Sequence, residues 1–97
     1  HPLAGRATFL LAKSYLGQGE LALSQRWFER TRDRFPQTEE AHKAKFKLAM
    51  IELLRDEPRR AFEQFRQLAQ AADGPYTPEA AAWSRFLEAE LGQPPAP

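Results

Sequence analysis

Glycine and proline interrupt this chain at Gly17 and Gly19, at Pro36, at Pro58, at Gly74-Pro75 and at Pro78. With Gly17 and Gly19 taken as one break and Gly74 to Pro78 as another, each stretch between breaks is long enough for a helix of three turns or more. The material in the gaps settles which element fills them. The chain has no Val and a single Ile, Ile51, while Ala, Leu, Glu, Gln, Lys and Arg dominate. Those residues lose least on entering a helix, and a sheet would lack the β-branched side chains that pack on its pleated face.

Five helical segments follow. The first spans about residues 3–16 and the second about 20–35, where Leu21, Ser24, Phe28, Thr31 and Phe35 recur at spacings of three and four and form one buried stripe. The third starts after Thr38, an N-cap with Glu39 and Glu40 in the positive first turn, and runs to Leu54. Pro58 opens the fourth, whose apolar positions are Ala61, Phe62, Phe65, Leu68 and Ala72. Thr77, read as a cap ahead of a first-turn Pro78, opens the fifth, and Leu91-Gly92 closes it. Connections this short force neighbouring helices to lie antiparallel. The expected layout is one all-α domain over residues 1–92, with hairpins at about 3–35 and 39–72 and a single helix at about 78–91. Residues 93–97 read as a frayed tail.

Shifting the sequence against itself by 37 positions places Ala4 on Ala41, Ala7 on Ala44, Phe9 on Phe46, Leu11 on Leu48, Ala12 on Ala49, Leu16 on Leu53, Glu20 on Glu57 and Phe28 on Phe65. Self-similarity at such a period marks helical solenoids. The residues Leu11-Ala12, Tyr15, Gly19, Ser24, Phe28, Thr31 and Pro36, with Leu48-Ala49, Ala61 and Phe65 in a second copy, resemble the tetratricopeptide repeat family. The second copy departs from the pattern with Glu52 for the Tyr, Asp56 for the Gly and Asp73 for the Pro, and Thr8 replaces an aromatic in the first. The 37-residue step and the phrase Phe35-Pro36-Gln37-Thr38 are similar to the variant found in bacterial envelope lipoproteins and secretion scaffolds. The resemblance implies a short right-handed solenoid of TPR-like hairpins, which binds protein and carries no chemistry of its own.

The residues offer little for catalysis. His1 is terminal, and His42 sits among Glu39, Glu40, Lys43 and Lys45 on what reads as a solvated helix face. Ser14, Ser24 and Ser84 lack a strand-turn-helix nucleophile setting, and Gly17-Gln18-Gly19 lacks the strand and the Lys-Ser or Lys-Thr of a phosphate loop. The absence of Cys excludes disulfides and thiolate sites. Neither a cofactor nor a metal is expected. Net charge is +1, with acids and bases interspersed, which disfavours nucleic acid. Residues 26–47 nonetheless hold seven bases against four acids, and Arg26, Arg30 and Arg34 step along one helix edge. Leu23 and Trp27 occupy another edge of that helix, where packing on the third helix is the expected role for Trp27.

No apolar run reaches the roughly 20 residues that a bilayer crossing needs. The opening His1-Pro2-Leu3 has neither an initiator Met nor a signal-peptide layout, so the chain is expected to be part of a longer one. By the resemblance, first helices line a groove for a peptide or a helix, with Arg6, Phe9, Lys13, Lys43, Phe46, Met50 and Leu54 facing it. The implied setting is the periplasm or cell envelope, with the cytoplasm as the alternative, and exposed repeat ends would allow homo-oligomers. A second reading makes the chain a helical arm of a larger enzyme. Ala61-Phe62-Glu63-Gln64-Phe65 followed by Ala81-Ala82-Trp83 and Leu91-Gly92 resembles the arms of soluble lytic transglycosylases.

Overall fold

The computed structural model describes residues 3–71 and 74–92, and within them the chain forms five α-helices and no strand. They are α1 (Ala4–Gly17), α2 (Leu21–Arg34), α3 (Glu39–Leu54), α4 (Pro58–Gln70) and α5 (Thr77–Leu91). Helix α3 packs on α1, α2 and α4, whereas α5 packs chiefly on α4. The molecule measures 53 × 31 × 17 Å. Its thinnest dimension admits two layers of helices and no more.

Of the five helices, α3 starts on a side-chain cap. The Thr38 hydroxyl accepts from the Ala41 amide at 3.1 Å, as its N-cap position requires. Thr77 differs from expectation. Tyr76 holds the cap position, and Thr77 lies inside the first turn, where its hydroxyl donates backward to the carbonyls of Ala71 and Gly74, each at 3.0 Å. A hydroxyl committed to carbonyls behind it leaves the helix amides ahead without that cap. Helix α4 stops at Gln70, short of the expected 72, and Ala72, Asp73 and the 93–97 tail fall outside the described residues.

The turns inside the two hairpins share one main-chain pattern. Gly19 donates to Leu16 O at 3.0 Å and Glu20 to Tyr15 O at 2.9 Å; 37 residues on, Asp56 donates to Leu53 O at 3.1 Å and Glu57 to Glu52 O at 2.8 Å. Backbone angles agree as well, with Gly19 at φ +78° and Asp56 at +62°. Asp56 thus takes the left-handed conformation that glycine adopts without strain, and Asp tolerates it better than most residues. Gly19→Ala is therefore expected to cost about 1 kcal/mol, and Asp56→Gly to stabilise by up to about 1 kcal/mol. Thermal denaturation of the two variants checks this; a stabilising Gly19→Ala would contradict it, since open space around Gly19 leaves only backbone strain to act.

Side chains follow the same offset. Phe9 meets Phe28 edge-on at 5.5 Å and 64°, and Phe46 meets Phe65 at 5.4 Å and 68°. Each pair joins a first helix to its second, a geometry that aromatic rings prefer. Ala12, Ala49 and Ala61 are fully buried, as are Phe28 and Phe65. One core gathers Phe9, Ala12, Phe28, Ala44, Leu48 and Ile51, with Trp27 half-buried against it. A second gathers Ala49, Ala61, Phe65, Ala80 and Leu87. Two hydroxyls tie α1 to α2: Ser24 donates to the Ala12 carbonyl at 2.8 Å, and Thr31 to the Thr8 hydroxyl at 3.1 Å. Gly5 lets Phe35 lie against the start of α1, where an added Cβ would sit 3.2 Å from the ring.

Candidate protein-interaction surfaces

Helix α3 is buried on several sides, so what it leaves open defines the surface. At about 100° per residue, Lys43, Lys47, Met50 and Leu54 share one side, while Lys45 and Leu48 share the opposite one. Of the first group Leu54 is 60% exposed and the others are half-buried. Lys43 pairs with Glu39 at 3.3 Å, one turn back. On α1 the corresponding positions carry Arg6, Leu10 and Lys13, all exposed.

The aromatic residues expected in this groove are spent largely on the fold. Phe9 is 7% exposed and turns its ring into the first core, with the Lys13 ammonium 5.8 Å above the ring. Phe46 is half-buried between Phe65 and Tyr76, and stacks on the latter at 4.7 Å. Met50 packs against the second core. Among the described residues, the exposed large apolar side chains are Leu3, Leu10, Leu11, Leu54 and Phe86. All lie on α1, α3 or α5 or at the entry to α1; α2 and α4 contribute none. On α5, Phe86 meets Trp83 at 5.9 Å, and with Ala82 they border a shallow hollow of about 260 Å³.

A second surface was not foreseen. The last turn of α2, helices α3 and α4, and the connection into α5 enclose an open cleft of about 560 Å³. Arg32, His42, Lys45, Gln64 and Gln67 supply its polar lining, and Leu48, Leu68, Pro75 and Tyr76 its apolar part. Arg32 is already engaged, with Nε and Nη2 donating to the Asp33 carboxylate at 2.7 and 3.1 Å. That hydrogen bond is the main cause that holds Asp33 below the usual carboxylate range and Arg32 above its ordinary value. His42 is exposed, as expected, and lies in the cleft lining. The sequence carried one hint of this site, in that Lys45 stands off the Lys43 stripe. The position of Gly74, Pro75 and Tyr76, which border the cleft, had no such signal.

Between α2 and α3 a polar chain crosses the interface. The Glu52 carboxylate is buried and its Oε1 accepts from Gln25 Nε2 at 3.0 Å, while Gln25 Oε1 accepts from Arg55 Nη1 at 2.7 Å. Glu52 Oε2 has no donor among the described residues. Among those residues no three His, Cys, Asp or Glu side chains gather as a metal site, and no helix is long and apolar enough to cross a membrane.

Comparison of the chain with protein-family models, with curated proteins and with solved structures gave no match.

Proposed function

We propose that the chain is a non-catalytic protein-interaction module built from TPR-like hairpins, and that it binds a peptide or helix of a partner along the side formed by its first helices. The observation that carries this reading is the placement of exposed apolar side chains. Leu10, Leu54 and Phe86 are 50%, 60% and 54% exposed, and the second helices offer no counterpart among the described residues. Exposed apolar side chains confined to successive first helices and accompanied by charge suit a protein-binding face. Arg6, Lys13, Lys43 and Lys47 provide the rim. The matched turns and aromatic pairs at a 37-residue offset support the solenoid reading. The envelope variant of the family, suggested by Phe35-Pro36-Gln37-Thr38, makes a periplasmic or envelope scaffold the setting we favour.

The test is binding to the protein that co-purifies with the intact protein. Leu54→Asp is expected to weaken the complex about tenfold or more, because it places a charge in apolar contact. Lys43→Glu should slow association and alter its salt dependence, while Arg30→Glu, on a second helix beside Trp27, should change little. Surface plasmon resonance at two salt concentrations, on variants with unchanged circular dichroism, measures both. A loss confined to Arg30→Glu would move the binding face to the second helices.

A further inference from the structure

The cleft on the other side of α3 has a chemistry of its own. We propose that it captures an acidic, extended peptide segment of a partner protein. The inference rests on the reading of the chain as a protein-binding module and adds a second, chemically distinct site to it.

Three features of the lining argue for this occupant. Lys45 is exposed and has no ion-pair partner among the described residues, so its ammonium is available to a carboxylate. Gln64 and Gln67 line the cleft, and side-chain amides there can exchange hydrogen bonds with the main chain of an extended segment. Leu48, Leu68, Pro75 and Tyr76 give the cleft an apolar part against which a side chain between two acidic residues can pack. Its volume, about 560 Å³, falls within the range of about 300–1,000 Å³ typical of ligand sites. No Asp or Glu is among the described residues of its lining.

A nucleic acid fits less well. Binding a phosphate backbone draws its strength from several cations that each displace a counterion. Here Arg32 is held by Asp33, which leaves Lys45 with the imidazole of His42.

The proposal is tested with a fluorescein-labelled peptide of alternating glutamate and leucine, titrated with the whole chain and followed by anisotropy. Amide chemical-shift mapping by NMR accompanies the titration. Saturable binding is expected, with shifts at Lys45, Gln64, Gln67 and Tyr76. Lys45→Glu should weaken it about tenfold, as reversal of a close charge does, and Gln64→Leu severalfold. Lys43→Glu, on the opposite side of α3, should leave it unchanged, and a glutamine-for-glutamate peptide should bind severalfold more weakly. Circular dichroism checks that each variant folds. The proposal is overturned if the peptide fails to saturate at millimolar concentration, or if the shifts fall on Arg6, Lys13 and Leu54. Equal losses in Lys45→Glu and Lys43→Glu, or equal affinity for oligouridylate, would overturn it too. Any of these results with the co-purified partner still bound through the first helices removes the cleft site alone; a chain with which no protein co-purifies removes the module reading itself.

Discussion

Phe28→Ala is expected to lower the free energy of unfolding by about 3–5 kcal/mol, a third or more of what a domain of this size commonly has. Phe28 is fully buried and meets Phe9 across the first hairpin, in a core that also contains Ala44, Leu48 and Ile51 of α3. Truncation removes the ring from α1 and α3 together, and neighbours that are themselves Ala cannot move in to fill the space. Phe65→Ala should cost a similar amount, since Phe65 lies between Phe46 and Trp83 in the second hairpin's core. Urea denaturation measures both. A midpoint unchanged by either substitution would contradict the packing described for that hairpin.

The second large effect concerns the polar chain between α2 and α3. Gln25→Ala is expected to cost about 3 kcal/mol, because it removes the one donor among the described residues that reaches the buried Glu52 carboxylate. Glu52→Leu removes the charge as well as the bond, and should cost less or even stabilise, since apolar replacement of a buried ionic group spares its desolvation. Arg55 is exposed, so Arg55→Ala should have a small effect. The order of the three denaturation midpoints decides the matter. A Glu52→Leu variant as unstable as Gln25→Ala would show that the carboxylate contributes net stability where it stands.

The helices were legible because two independent signals coincided. Gly and Pro marked the ends, and the three-and-four spacing of Ser24, Phe28 and Thr31 marked the buried side. Burial of Ala12 and Ala49 followed from the 37-residue offset, where small residues recur at the places of closest helix approach, and burial of Ala61 from the stripe it shares with Phe65. The role of Thr77 was misjudged because a Thr-Pro pair signals a cap only while the hydroxyl is free, and here the preceding connection offers it two carbonyls. Asp56 looked like a departure from the pattern, yet it keeps the backbone of Gly19, a fact of φ that residue type alone does not give. The cleft was illegible for a different reason. Its residues come from three helices and one connection, and helical periodicity says which side a residue faces without saying how far apart neighbouring helices stand at their ends.

The central claim is that partners engage the side formed by α1, α3 and α5. Its most direct test is photo-crosslinking of the intact protein in its native host, with a photoreactive residue placed in turn at Leu10, Leu54 and Phe86, and at Arg26 and Arg59 on the second helices. All five positions are exposed, so reactivity with solvent is comparable. The expected result is a crosslink to a common partner from the first three and none from the last two. Crosslinks only from Arg26 and Arg59, or equal yields from all five, would contradict it.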